Sequence, residues 1–317
     1  MQFLSLKCSN CNAPIDISPD SLLNVCEYCG ETYLAKDIEN TPIYIVPTIS
    51  KNQVINAFKN RMEHDRDMRG KHYDIVEVSG VYVPFYVSSV EAKGEWEGYR
   101  YEQRGKRRVR VHLEGKIDIK GDFPVLARKY AHEFGLAYIG PHLFKHKFLK
   151  FKDINWKDIS LPVMSVDITE NTAEEMVKDE FLDELAEKIK KNRGVEKFTK
   201  FSCSLVMGNK RIILYPLWTV LYRFKGGSYR SSIEGAKGQV IATMEPVFTR
   251  HRILYFLGAI LLGSLSGVIW KLGVFFAEGV RNGYKALFAA GVGIVIVLGI
   301  AYKLAKNISK SVRIERK

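Results

Sequence analysis

Two long apolar runs near the C-terminal end dominate the hydrophobic pattern of this chain. Residues 253–270 include no charge, apolar residues resume after Lys271 as far as Ala277, and a second uncharged run covers residues 286–302. A bilayer core of about 30 Å is spanned by roughly 20 apolar residues in a helix. The pattern therefore predicts a transmembrane helical hairpin with a short polar turn at residues 278–284. Two helices buried in a soluble core are the alternative.

The charges around the hairpin predict its orientation. Arg250 and Arg252 precede the first run, and the tail 303–317 contains six further Lys and Arg residues. Because positively charged flanks stay on the cytoplasmic side, we expect a multi-pass protein of the cell membrane with both termini in the cytoplasm. The tail is expected to continue as a helix on anionic lipid headgroups, or else to fray into solvent.

Small residues in the two apolar runs predict close packing between helices. Ala259, Gly263 and Gly267 are four residues apart on the first helix, and Ala289 and Gly293 offer a similar face on the second. Helices in lipid associate through such faces because the backbones can approach closely there. The contact is expected within the hairpin, and a homodimer is the alternative.

The preceding residues 41–249 alternate between helical and strand-like periodicity. Ser50 is predicted to cap a helix over residues 51–69 that ends at Gly70. Strand-like sequence follows at residues 74–92.

A similar order recurs in the second half of this region. Thr172 is predicted to cap a helix, with Glu175 completing a capping box and Gly194 ending the helix. Strand-like sequence then covers residues 197–207 and 212–224.

Two proline-aromatic segments strengthen the impression of a repeat. Val83-Pro84-Phe85-Tyr86 and Tyr215-Pro216-Leu217-Trp218 are each predicted to begin a strand, because proline in a sheet is tolerated at a strand start or on an edge. The pattern predicts an α+β cytoplasmic region made of two similar helix-plus-antiparallel-sheet halves. Two unrelated hairpins that look alike are the alternative.

The N-terminal cysteines predict a metal site. Cys8, Cys11, Cys26 and Cys29 form two C-x-x-C pairs, and such pairs on two tight turns can hold one ion in a closed tetrahedron. Gly30 suits a turn that needs positive φ, and Asn12 is expected to fill the same role after Cys11. Structural Zn²⁺ is predicted, because four thiolates leave no open position for catalysis. Two disulfides or a redox dithiol are the alternatives, and cytoplasmic placement argues against stable disulfides.

These patterns together predict four regions. They are a zinc ribbon at residues 1–40, a first α+β half at 41–160, a second at 161–249, and the transmembrane hairpin with its basic tail at 250–317.

The distribution of charge bears on the partner. The chain has a net charge of +13, whereas residues 1–50 contain two Lys against six Asp and Glu. An acidic ribbon suits a protein partner better than nucleic acid, whose binding depends on Lys and Arg. The basic excess includes the strip from Arg100 to Lys120, which is expected to bind anionic lipid headgroups, nucleic acid or nothing specific.

The sequence contains no recognisable catalytic motif. H-E-x-x-H, G-x-S-x-G and a phosphate-binding G-x-x-x-x-G-K-[ST] are all missing from it. His142 and His146 are four residues apart, but no nearby carboxylate or cysteine completes a metal site in the sequence. Cys203 is expected to be a buried core thiol. We therefore predict that the chain is not an enzyme.

The order of these motifs resembles that of prokaryotic membrane-anchored zinc-ribbon proteins with a transcription-factor-IIB-type ribbon. The resemblance is carried by the C-x-x-C pairs, Ile45-Val46-Pro47, the Val-Pro-Phe-Tyr segment, Leu214-Tyr215-Pro216-Leu217-Trp218 and Glu234-Gly235-Ala236-Lys237-Gly238, followed by the membrane anchor. Some bacterial members of this group resemble membrane anchors for envelope-stress proteins of the phage-shock-protein A type. The basic strip departs from this pattern.

Two functions follow as expectations. The first is a membrane-anchored cytoplasmic zinc-ribbon adaptor, or scaffold, that recruits a protein partner to the membrane. The second is a membrane-tethered nucleic-acid-binding protein that uses the strip from Arg100 to Lys120.

Overall fold

The chain has a mixed α/β fold with a curled, mostly antiparallel sheet, an N-terminal cysteine cluster and two C-terminal apolar helices. We describe it from a computed structural model. The structure describes residues 4–17, 21–34, 41–105, 107–129, 131–155, 161–246, 248–278, 283–308 and 312–316.

The strands, in chain order, are β1 (Leu4–Lys7), β2 (Pro14–Ile17), β3 (Leu23–Val25), β4 (Thr32–Leu34), β5 (Ile43–Ile45), β6 (Asp74–Arg104), β7 (Arg107–Leu126), β8 (Leu149–Lys150), β9 (Lys197–Phe224), β10 (Gly227–Glu234), β11 (Val240–Pro246) and β12 (Val312–Arg316). The helices are α1 (Lys51–His64), α2 (Gly140–Leu143), α3 (Glu170–Arg193), α4 (Thr249–Glu278) and α5 (Gly283–Ile308).

One large sheet organises most of these strands. Its order is β12-β11-β10-β9-β5-β8, and β6 pairs with both β9 and β7. The short β5 runs parallel to its neighbour β9, with Ile43 opposite Ile212. The ribbon contributes two separate antiparallel pairs, β1 with β2 and β3 with β4.

Two strands are longer than the hydrophobic pattern predicts. β6 begins at Asp74 as expected but continues to Arg104, and β9 joins the two predicted strands into one. β9 continues through Gly208, where a side chain would collide with Ser89 of β6, so the close approach of the two strands favours glycine. Pro84 and Pro216 therefore lie inside long strands, and the prediction that they begin strands is wrong.

The start of α1 is predicted correctly, but its end is not. Ser50 and Gln53 exchange hydrogen bonds, with Ser50 N donating to Gln53 Oε1 at 2.9 Å, as in a capping box. α1 ends at His64 because the Asp65 carboxylate accepts hydrogen bonds from the backbone N–H groups of Asp67 and Met68. Such a side chain competes with the helical carbonyls and turns the chain.

The N-terminus of α3 lies three residues before the predicted cap. Thr169, and not Thr172, has extended backbone geometry, and its side chain accepts a hydrogen bond from Thr172 N. Both positions hold a good capping residue, so the sequence alone did not separate them. The predicted end is confirmed, because Gly194 adopts a left-handed conformation with φ 67°.

The chain folds into two compact units. Unit 1 comprises Met1–Lys59, Glu77–Val220 and Ser232–Ile241. Unit 2 comprises Asn60–Val76, Leu221–Ser231 and Ala242–Lys317. The main core of unit 1 packs the first residues of α3 against β5, β6 and β9, and it includes Leu23 and Val25 of the ribbon.

Unit 2 contains the predicted hairpin. The apolar stretches Ile253–Ala277 of α4 and Leu287–Ala305 of α5 are long and apolar enough to span a membrane, and they are almost entirely exposed. Of the predicted polar turn, residues 279–282 lie outside the described part of the chain.

The tail after the hairpin differs from the expectation of a helix or a frayed segment. β12 pairs antiparallel with β11, the strand that leads into α4, and Pro246 lies opposite Val312. The alternation in Val-Arg-Ile-Glu-Arg suits a strand, and the pairing returns the chain to the sheet that it left before α4. Strand pairing thus holds the N-terminal end of α4 and the C-terminal end of α5 on one side of the hairpin.

Glycines bring α4 and α5 close together, but only one of the two that do so, Gly293, was predicted. A methyl group at Gly258 would lie 3.2 Å from Leu304, and one at Gly293 would lie 3.6 Å from Ile269, whereas Gly263 and Gly267 have nothing within 4 Å. The prediction that Gly263 and Gly267 contact α5 is therefore wrong. Periodicity locates small faces but does not show which of them a neighbouring helix covers.

Candidate metal centre

Two turns of nearly identical geometry carry the four cysteines. In the first turn Cys8 N donates to Ala13 O and Asn12 N donates to Cys8 O, at 2.8 and 2.9 Å. In the second turn Cys26 N donates to Glu31 O and Gly30 N donates to Cys26 O at the same two distances. Each turn ends in a left-handed residue, Asn12 with φ 58° and Gly30 with φ 77°. The prediction for these two residues is confirmed.

The sulfur atoms converge as a tetrahedral metal site requires. The Sγ atoms of Cys8 and Cys29 are 3.5 Å apart, those of Cys11 and Cys26 are 3.7 Å apart, and all four lie within 4.8 Å of one another. A zinc–sulfur distance of about 2.3 Å places neighbouring sulfurs of a tetrahedron about 3.8 Å apart. Among the described residues, these cysteines form the one group of three or more His, Cys, Asp and Glu side chains that could hold a metal.

The surroundings of the cluster favour the thiolate form of Cys8 and disfavour that of Cys29. The hydroxyl of Tyr33 donates to Cys8 Sγ at 3.3 Å and lowers the pKa of that thiol to about 6. Desolvation raises the pKa of the Cys29 thiol. Four thiolates this close need a cation to offset their repulsion, and a bound metal supplies it. The donor set therefore fits a structural metal ion such as zinc.

The ribbon is joined to the core of unit 1 by its third strand. Leu22 N donates to Val166 O at 2.6 Å, and Leu23 is fully buried in the main hydrophobic cluster. Burial of a leucine side chain contributes about 2 kcal/mol. Loss of the metal is therefore expected to disturb the rest of unit 1 as well as the ribbon.

The strip from Arg100 to Lys120 lies on the hairpin formed by β6 and β7, which turns at Gly105. Acidic residues of β6 face basic ones of β7 across the strands, with Glu95 opposite Lys116 and Glu91 opposite Lys120. The sequence of the strip alone does not reveal these cross-strand neighbours.

Several charges of this hairpin are engaged in ion pairs. Glu91 pairs with Lys93 at 2.7 Å, and Glu95 pairs with Lys200 of β9. Such exposed pairs contribute little to stability. They do, however, reduce the positive potential that an approaching phosphate would meet.

Aromatic rings near the end of the same hairpin are covered by arginines. The guanidinium carbon of Arg110 lies 3.7 Å from the ring centre of Tyr99, and that of Arg108 lies 4.5 Å from the ring centre of Tyr101. Arg108 also lies 3.5 Å from Glu196. Single-stranded nucleic acid binds by stacking bases on open rings, so these cation–π contacts do not favour that use.

A buried carboxylate lies beside His142 and His146, for which the sequence showed no third metal ligand. Glu234 Oε2 is 3.7 Å from His146 Nε2 and accepts a hydrogen bond from Tyr215 at 3.3 Å. Burial lowers the pKa of both His142 and His146. Although His146 approaches Glu234, these three side chains do not form a group that could hold a metal, so the described residues give no support for a second metal at this place.

Cys203 is half-buried and not fully buried as predicted. Its side chain packs among partly buried residues next to the cluster of Trp96, Leu185 and Val195, and burial raises the pKa of its thiol. An inert packing role is consistent with these surroundings.

The basic excess is concentrated in unit 2. This unit contains 18 Lys and Arg against 7 Asp and Glu, a net charge of +11 out of the chain's +13. Unit 1, with the ribbon and the β6–β7 hairpin, is left with a net charge of +2. The unit that holds the two apolar helices is therefore the basic one.

Exposed acidic side chains line one face of α3 in unit 1. Glu175, Asp179 and Asp183 are four residues apart, so they lie along the same side of the helix, and all three are exposed. The hydrophobic pattern of α3 indicates only its apolar stripe, and this acidic face was not among the predicted features.

No family model, no curated protein and no solved structure matches this chain.

Proposed function

We propose that this chain is a membrane-anchored adaptor that holds a metal ribbon and an α+β region at the cytoplasmic face of the membrane. The observation that carries the proposal is the separation of charge, with +11 of the net +13 in the unit that contains the apolar helices. Positive charge beside transmembrane segments favours the cytoplasmic side and attracts anionic leaflets.

The connection between the sheet and the hairpin supports the same orientation. β11 leads into α4, α5 leads to β12, and the two strands pair. Both ends of the hairpin therefore emerge on one side, where a strand ladder fixes them. In this proposal that side is the cytoplasm, and the turn between the two helices is on the opposite side.

A protein partner suits unit 1 better than nucleic acid does. Its net charge is only +2, the ribbon is acidic, and α3 presents the row of Glu175, Asp179 and Asp183. A phosphate backbone would be repelled by these groups. A partner with a basic surface would be attracted and steered towards them. No catalytic role is part of the proposal.

The test is recovery of bound molecules from membranes. The full chain is cross-linked in the cell, extracted in mild detergent and purified, and the bound protein and nucleic acid are measured with and without nuclease treatment. We expect specific protein partners whose yield is insensitive to nuclease. The variant Glu175→Lys/Asp179→Lys should lose them, because it reverses the charge of the α3 face.

The matched control is Glu114→Lys/Asp118→Lys on β7, which reverses two exposed acids at the same spacing. It should retain the partners. The alternative of nucleic-acid binding would instead be established if nucleic acid were recovered in place of protein, and if charge-reversing substitutions of Arg108 and Arg110 abolished that recovery.

A further inference from the structure

Two basic side chains and two aromatic rings meet where the chain enters α4. Phe248 directly precedes α4, and its ring centre lies 5.9 Å from that of Phe224 at the end of β9. Lys71 Nζ lies 4.5 Å from the centre of the Phe248 ring, and Lys225 Nζ lies 5.6 Å from that of Phe224. All four residues belong to unit 2.

These residues come from separate parts of the chain. Lys71 lies in the connection between α1 and β6, next to Gly70 with its φ of 69°. Lys225 lies in the tight turn between β9 and β10, where Lys225 and Gly226 both have positive φ. Both lysines are exposed. The fold therefore brings two distant turns to the base of the first apolar helix.

The position of this cluster along α4 matches the headgroup layer of a bilayer. The apolar span begins at Ile253, five residues after Phe248. At 1.5 Å per residue, Phe248 lies about 7.5 Å before the start of the span along the helix axis. The headgroup region on each side of the hydrocarbon core is roughly 5–8 Å thick. Phe248 is thus at the depth where lipid phosphates lie, and Lys71 Nζ, 4.5 Å from its ring centre, lies close to it.

The local charge is also suited to an anion. The segment Leu221–Ser231 contains Arg223, Lys225 and Arg230 and no acidic residue. The connection that contains Lys71 also contains Asp65 and Asp67, which are both buried, and Asp74 at the start of β6 lies 3.4 Å from His72. Each ammonium group contacts a ring by a cation–π interaction, and because both lysines are exposed, each ammonium group remains accessible to an anion.

We propose that Lys71 and Lys225, held against Phe248 and Phe224, bind the phosphate of an anionic phospholipid headgroup at the cytoplasmic leaflet. The site rests on the membrane anchoring proposed above and adds a specific lipid contact to it. It fixes unit 2 against the membrane at a point beside the hairpin.

The test uses the full chain in a non-ionic detergent. Dioctanoyl-phosphatidylglycerol is titrated into the protein, and binding is followed by native mass spectrometry and by the rise in unfolding temperature. Dioctanoyl-phosphatidylcholine and inorganic phosphate serve as comparison ligands. Each basic residue near an anionic surface contributes roughly fivefold in affinity. The variant Lys71→Gln/Lys225→Gln should therefore bind phosphatidylglycerol roughly 25-fold more weakly.

The control variant is Lys178→Gln/Lys191→Gln, which removes two exposed lysines of α3 and should bind as the wild type does. Equal affinity of the wild type and the Lys71/Lys225 variant would overturn the site. Equal competition by inorganic phosphate would also overturn it, because the ligand would then be a free anion and not a lipid. If carbonate washing releases the wild-type chain from membranes, the anchoring itself fails, which is a different outcome.

Discussion

The buried carboxylate of Glu245 lies 3.1 Å from the guanidinium of Arg61. Glu245 belongs to β11, the strand that leads into α4, and Arg61 belongs to α1. Arg61 also lies 3.2 Å from Asp65, whose carboxylate ends α1. One guanidinium therefore joins the end of a helix in unit 2 to the strand that carries the hairpin.

Removal of one partner from this buried pair should be costly. Arg61→Ala is expected to lower the free energy of unfolding by about 3 kcal/mol, because it removes the guanidinium from an ion pair with the buried Glu245 carboxylate. Chemical unfolding of the detergent-solubilised chain measures the change. The double variant Arg61→Met/Glu245→Met should lose less than Arg61→Ala alone, since it removes both charges together. A double variant at least as unstable as the single one would contradict this expectation.

Loss of one cysteine ligand should release the metal. The wild type is expected to contain one zinc per chain, and Cys26→Ser should contain none, as measured by elemental analysis of protein kept reduced. Because Leu23 of the ribbon is buried in the core of unit 1, the unfolding temperature of the variant should also fall. Cys203→Ser should keep its zinc, because its thiol lies outside the cluster. Zinc-free wild type would refute the assignment.

The packing of α4 on α5 can be tested with two glycines of the same helix. Gly258→Leu should destabilise the hairpin by about 1–3 kcal/mol, because even a methyl group there would lie 3.2 Å from Leu304. Gly267→Leu should be nearly neutral, because nothing lies within 4 Å of that position. Thermal unfolding in detergent gives both values. Similar losses at the two sites would show that α5 packs on a different face, or that a second chain covers Gly267.

Mild acid should destabilise unit 1 through its buried histidines. Burial, followed by the charge of nearby Lys145, lowers the pKa of His142 below its usual 6.5. Burial also lowers the pKa of His146, although the charge of Glu234 acts in the opposite direction. As the pH falls through about 6.5, the unfolded chain takes up protons that the folded chain resists, so stability decreases. The unfolding temperature should drop between about pH 7.5 and 5.5, and less so in His142→Gln/His146→Gln. An equal drop in that variant would mean that other groups are responsible.

Local features of this fold follow from the sequence, and long-range ones do not. The positive φ of Asn12 and Gly30, the Ser50 cap and the Gly194 end of α3 depend on neighbours within a few residues. β12 pairs with a strand that precedes the whole hairpin. Its five residues are too short a pattern to outweigh Leu304, Ile308 and Val312, whose spacing of four residues favours a helix.

In the candidate site too, local features could be predicted from the sequence and long-range contacts could not. The cysteine ligands were predictable because C-x-x-C spacing is a local geometric requirement. Glu234, by contrast, comes from a strand far from His146 in the sequence, and no spacing indicates that the two meet. Likewise the strip from Arg100 to Lys120 is basic as a segment, but its partner strand supplies Glu91 and Glu95.

The most direct test of membrane anchoring is cysteine labelling of the hairpin in intact cells. Single cysteines are introduced at Tyr284, exposed at the start of α5, and at Ser228, exposed near the start of β10. The background is Cys203→Ser, with the four cysteines of the cluster retained. A membrane-impermeant maleimide should label Tyr284→Cys in intact cells and Ser228→Cys only after permeabilisation. Labelling of both positions, or of Ser228→Cys alone, in intact cells would contradict the proposed anchoring.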